Sequence, residues 1–193
     1  TSFLKRLSNQ INNKHWPGAS VSPSAIIEGD LKRIFLGNGV IVEAGAVLST
    51  KYGGTITLGD NTVVRRGAMI MTYGGDITLG SHSGVNPYTI LYGHGGLKIG
   101  NHVRIAAHCV VIPANHTFQS RDLPIYHQPL IKKGITIDDD VWVGAGVMIL
   151  DGTHVGTGSV IGAGSIITRN IPEQSVAIGN PAKVVQQRLQ SEE

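Results

Sequence analysis

The chain has 193 residues, a length that fits one domain. Charged residues make up only 15% and aromatics 5%, whereas glycine occurs 26 times, a balance that favours short strands and tight turns over helices packed around large side chains. The net charge of +3 is not gathered into a basic run that would mark a nucleic-acid partner, the single cysteine excludes a disulfide framework, and no apolar stretch approaches a membrane span.

Residues 2–13 place Phe3, Leu4, Leu7 and Ile11 on one helical face, which predicts a short capping helix within an N-terminal segment 1–20. The N-terminus TSFLKRLSNQ lacks the apolar core of a signal peptide, and with the lone cysteine this predicts a reducing, cytoplasmic setting. Beyond it, apolar residues recur every six positions. Leu36, Val42, Leu48 form one run, Leu58, Val64, Ile70 the next, then Leu79, Val85, Leu91 and Ile99, Ile105, Val111. Ile137, Val143, Ile149, Val155, Ile161 and Ile167 continue without a break. The position four after each anchor is small or β-branched, as in Ala46, Thr62, Ser83, Cys109 and Ser165. A helix, with its period of 3.6, cannot produce this pattern. Alternation within each hexad and a corner after it can. Three hexads close one turn of a triangular prism, and turns stacked at the strand spacing of about 4.8 Å give three parallel sheets. The fold is therefore expected to be an all-β helix of about six to seven triangular coils over residues 21–171. Its anchors should form three inward columns, headed by Leu36, Val42 and Leu48.

The interruptions fall after the third anchor of a coil, so they should lie along one edge. Ten residues separate Leu48 from Leu58, nine Ile70 from Leu79, eight Leu91 from Ile99, and twenty-six Val111 from Ile137. The last is a long loop, 114–134, and a structureless segment of that length in a compact domain usually has a function. In the tail, 172–193, Pro181 is expected to open a C-terminal helix. Cys109, at a small inward position, reads as core.

The hexads, together with VVIPANHTF, the long loop, ITIDDDVWVGAG and the tail AIGNPAKVV, resemble the hexapeptide-repeat acyltransferases over residues 34–186. The nearest likeness is to the sugar O-acetyltransferases, with LYGHGGLKIGNHVRIAAHCVVIPANHTF looking most like the polysaccharide-modifying branch. The resemblance implies a left-handed coil with short terminal helices, a homotrimer with sites between subunits, and acetyl-CoA as co-substrate. It implies transfer to a sugar hydroxyl in surface polysaccharide or lipopolysaccharide synthesis, with no metal. His116 matches the family's catalytic histidine, and a histidine titrates near neutral pH, as a general base should. Asn86 matches its active-site asparagine. Trp142 matches the residue set against the cofactor. Gly144, Ala145, Gly162 and Ala163 would approach the pantetheine arm, Thr168, Arg169 and Lys183 the phosphates, and Pro181 the adenine.

Counting along the hexads sets Asn86 at the corner between the first and second faces, Trp142 at an outward corner of the same edge, and His116 at the far end of the third face. One site containing Asn86 and His116 then has to be assembled from two chains. Tyr73, Tyr92 and His94, with Tyr52, Tyr126 and His127, collect on the insertion edge, where tyrosine faces would suit a saccharide. Three other readings compete. One is an N-acetyltransferase on an amino sugar. A second is a β-helix that only scaffolds an assembly. The third is a metal enzyme using His82, His108 and His116.

Overall fold

The computed structural model describes residues 15–188, so the helix expected over 2–13 lies outside the described residues. The chain winds as a triangular solenoid whose coils contribute in turn to three sheets, of six, nine and seven strands. We call these the first, second and third faces, in the order the chain meets them from Ile34.

The expected columns are the observed register. On the first face Leu36, Leu58, Leu79, Ile99, Ile137 and Val155 follow one another as paired residues. On the second the series is Val42, Val64, Val85, Ile105, Val143 and Ile161. On the third it is Leu48, Ile70, Leu91, Val111, Ile149 and Ile167. All except Leu36 are buried, and burying each of these side chains contributes about 1.5–3 kcal/mol. The small positions are buried as well. At five of them the hydroxyl or thiol is satisfied by the neighbouring coil: Thr62 donates to the Gly80 carbonyl at 2.9 Å, Ser83 to Gly100 at 2.9 Å, Thr89 to Ala106 at 2.7 Å, Ser159 to Pro172 at 2.8 Å and Cys109 to Gly144 at 3.1 Å. A small polar side chain can therefore occupy a narrow apolar core without leaving a buried donor unpaired.

The solenoid extends further at both ends than the hexads from Leu36 to Ile167 suggest. Val21 and Ile27 pair with Val42 and Leu48, while Ile171 bridges to Val155 and Ala177 pairs with Ile161. Irregular spacing hid them, nine residues from Ile27 to Leu36 and four from Ile167 to Ile171. Trp16 closes one end, buried, with its indole N–H donating to the Ile34 carbonyl at 2.8 Å.

The C-terminal helix expected at Pro181 is not formed over the described residues. Ser175–Gly179 joins the second face beside the strand of Ile161, and Ala182–Gln187 returns antiparallel to it, with Asn180 and Pro181 in the turn. Burying Ala177 in the second column draws its neighbours into a strand, and the edge so created recruits the β-branched Val184 and Val185. From Trp16 onward the helical elements among the described residues are two short 3-10 turns, Leu31–Arg33 and Ile125–His127, and no helix is long and apolar enough to cross a membrane.

Candidate active site

The insertions emerge, as expected, along one edge, between the third and first faces. The longest is not structureless. Asn115–His116 pairs antiparallel with Leu130–Ile131, and Thr117 donates through both its amide and its hydroxyl to the Pro129 carbonyl, at 3.0 and 2.8 Å. The tip is braced by Gln128, buried, whose side-chain amide donates to the carbonyls of Ser120 and Leu123 at 3.0 and 2.8 Å. The returning arm is pinned by Asp151, whose carboxylate accepts the backbone N–H groups of Lys133 and Gly134, both at 2.9 Å. The sequence gives no sign of either brace, because each is one side chain bonded to two backbone groups several residues away. His116 therefore sits at the foot of a hairpin, exposed, and its ring bonds no other described residue.

Asn86 follows Val85 on the second face and precedes Ile90–Tyr92 on the third. It stands at the corner between the second and third faces, not between the first and second. The anchor is the last residue of its strand, so the residue after it already turns toward the next face. Its amide donates to the Ile105 carbonyl at 2.8 Å, which ties it to the next coil. The breadth of the third face separates Asn86 from His116, so one chain does not bring them together.

The residues matched to the cofactor divide in the same way. Gly144 and Gly162 occupy the position of Asn86 in later coils, with Ala145 and Ala163 beside them, exposed. Close stacking alone already requires these two glycines. A Cβ on Gly144 would stand 2.6 Å from the Ala163 nitrogen, and one on Gly162 2.5 Å from a methyl of Ile178. Trp142 is not at a corner. It lies on the outer surface of the second face, 57% exposed, paired between Arg104 and Val160, because it precedes its anchor by one residue and so points the other way. Pro181 and Lys183 belong to the C-terminal hairpin on that same face. Thr168 and Arg169 lie across the third face, on the edge of His116.

The aromatic residues of the insertion edge do assemble. Tyr52 stacks on Tyr73 (centroids 5.5 Å apart, 9° between planes), Tyr73 stacks on His94 (4.8 Å, 6°), and Tyr92 meets Tyr73 edge-on at 4.8 Å. Both faces of Tyr73 are thus covered by its neighbours, so the ladder presents ring edges and hydroxyls rather than the flat apolar surface expected for a sugar. Burial and the neighbouring Tyr92 push the Tyr73 hydroxyl up, while burial and the ammonium of Lys132 hold His94 below the usual histidine range. His127 stands apart in the hairpin, against Tyr126.

His82, His108 and His116 fall on three different edges, and His82 and His108 stack on His102 and Tyr88. Among the described residues no group of three or more His, Cys, Asp or Glu side chains is placed to hold a metal. Cys109 is wholly buried, and burial pushes its thiol up. A thiol reagent at pH 7–8 should leave it unmodified in the native protein and label it on denaturation, because the reactive thiolate is disfavoured and enclosed. Rapid native labelling, followed by absorbance of the released chromophore, would contradict this environment.

The coil geometry accords with comparison to known proteins. Residues 134–169 match the family described as bacterial transferase hexapeptide (six repeats). Over those residues the chain carries the hexapeptide repeat. A relative named "Probable acetyltransferase", from Mycobacterium tuberculosis, is 33% identical over 156 residues, covering 80% of this chain and 50% of its own length. The galactoside O-acetyltransferase of Escherichia coli is 37% identical over 109 residues, 53% of this chain and 46% of its own. The chain thus spans about half the length of these relatives. The N-acyltransferase AntD of Bacillus cereus, solved with dTDP and 3-hydroxybutyryl-CoA, superposes with a TM-score of 0.64 at 16% identity, covering 94% of this chain and 88% of that one, a likeness of fold.

Proposed function

We propose that this chain transfers acetyl from acetyl-CoA to a sugar hydroxyl, in a homotrimer whose sites lie between subunits, with His116 as general base. The acceptor belongs to the surface-glycan class, a polysaccharide or lipopolysaccharide unit acetylated in the cytoplasm. The acceptor oxygen attacks the thioester carbon while its proton passes to the His116 imidazole. The carbon–sulfur bond then breaks, and the departing thiolate takes that proton back. Asn86 orients the acceptor or donates to the oxyanion. Trp142, Gly144, Ala145, Gly162, Ala163, Thr168, Arg169, Pro181 and Lys183 bind acetyl-CoA.

The observation that carries this reading is the apolar third face lying between the two halves of the site. Its outward row reads Ile26, Val47, Met69, Ile90, Val110, Met148, Ile166 in continuous register, flanked by Met71, Tyr92, Ile112 and Leu150. The outward row of the first face, by contrast, reads Phe35, Thr57, Thr78, Lys98, Thr136, His154. A continuous apolar strip on a sheet face calls for a partner. A second copy that covered it would carry the Asn86 edge of one chain toward the His116 edge of another, and a rotation that closes on itself gives a ring.

The test is a screen of thiol release from acetyl-CoA against glycans, nucleotide sugars and amino sugars. An alkali-labile ester on a sugar hydroxyl is expected. An alkali-stable amide formed only on amino sugars would move the activity to nitrogen. Neither binding nor consumption of acetyl-CoA would leave a scaffold.

A further inference from the structure

The edge between the second and third faces repeats one corner in each coil, at positions 45, 67, 88, 108, 146 and 164. All six have left-handed backbone, with φ from 60° to 71°. Four are glycine, the residue that adopts this conformation freely. The exceptions, Tyr88 and His108, lie in adjacent coils and hold it against the steric preference of an L side chain. The corner itself has no need of them. His108 N–H bonds the Pro87 carbonyl at 3.1 Å, and Gly146 and Gly164 make the same bond to Ala107 and Ala145, at 3.0 and 2.8 Å. Non-glycine residues also take this conformation on the edge between the first and second faces, at Asn61, His82, His102, Asp140 and Gln174, so what singles out Tyr88 and His108 is that they interrupt a row otherwise made of glycine.

The two rings stack, with centroids 5.4 Å apart and 15° between planes. Tyr88 is backed by Gly67, where a Cβ would stand 2.6 Å from its ring. On the other side of His108 the edge is open. A Cβ added at Gly146 or Gly164 would meet nothing within 4 Å. A floor of small residues, Gly144 to Gly146 and Gly162 to Gly164, therefore runs along the edge and ends at the imidazole.

We propose that the stacked Tyr88–His108 pair is the end wall of the acyl channel and restricts the transferred group to acetyl. This rests on the acetyl-CoA reading. With the nucleotide toward the C-terminal hairpin and the pantetheine arm on the small floor, the thioester points up the edge toward the coil of Asn86. The acyl tail beyond its carbonyl then faces His108. A methyl ends there. Each further methylene has to displace an imidazole that is stacked on Tyr88. One methylene in or out of such a site changes specificity by about 10–200-fold.

The experiment measures kcat/KM for acetyl-, propionyl- and butyryl-CoA in the parent, Tyr88→Gly, His108→Gly and the double variant, with direct titration of each thioester alongside. Glycine is already native at this corner in four coils, so the variants should fold. We expect the butyryl-to-acetyl ratio to rise at least about tenfold in His108→Gly and further in the double variant. The control His102→Asn, on the opposite edge, should leave the ratio unchanged. An unaltered ratio in variants that still bind and transfer acetyl would overturn the wall alone. A parent that neither binds nor transfers acetyl would overturn the acetyl-CoA reading, and the wall with it.

Discussion

Replacing His116 by alanine should lower acetyl transfer by at least about a hundredfold, the usual worth of a positioned general base. The loss should fall on kcat, with little change in acetyl-CoA affinity or self-association. His116 is joined to the rest of the hairpin through its backbone pairing with Leu130, which alanine preserves, and its exposed ring has no partner within the described chain to leave unsatisfied. Steady-state kinetics together with size-exclusion chromatography separate the two kinds of effect. Retention of most of the activity would remove His116 from the mechanism.

A mixture of His116→Ala and Asn86→Ala subunits should regain activity that neither variant has alone. In a closed ring where each site takes Asn86 from one chain and His116 from the next, random mixing makes about one site in four wild type. Starting from variants reduced about a hundredfold, recovery toward a quarter of parental activity is a large and specific signal. Asn86→Ala also removes the 2.8 Å bond to the Ile105 carbonyl, so its fold must be checked separately, by thermal melting. Confirmed mixed oligomers without any rescue would mean that both residues serve within one chain, or that one of them does not serve at all.

The period of six made the core legible, because each hexad commits an inward residue at its end and stacked coils have to align those residues. The insertion edge followed from the same count. Which corner Asn86 occupies did not, since the count locates the anchor but not whether the strand ends on it. Trp142 was misplaced for the same reason. The ends were obscured where spacing broke, at Ile27 and Ile171, and the tail was misread because Pro181 suits the turn of a hairpin as well as the start of a helix. Sequence position brought Tyr52, Tyr73 and His94 together, but the tilt of a ring is set by the rings beside it. The braces at Gln128 and Asp151 each rest on one side chain reaching backbone groups across 5 to 18 positions, and no local pattern encodes them.

The hydrogen bonds in the interior give the stack a direction. Thr62, Ser83, Thr89, Cys109 and Ser159 all donate to carbonyls that come later in the chain. The coils that carry these five donors lack a partner for them until the next coil is laid down, whereas the buried Thr72 and Thr153 donate back along the chain, to Ser49 and Leu150. The two ends of the solenoid are consequently not equivalent. Removing a coil from the N-terminal side takes donors and leaves carbonyls, which tolerate vacancy better. Removing one from the C-terminal side strands a hydroxyl in an apolar interior, at a cost of about 1–3 kcal/mol. Growth from the ribosome runs in the same direction, so each coil with such a donor waits for the next, and the last of them, Ser159, is met at the Pro172 carbonyl.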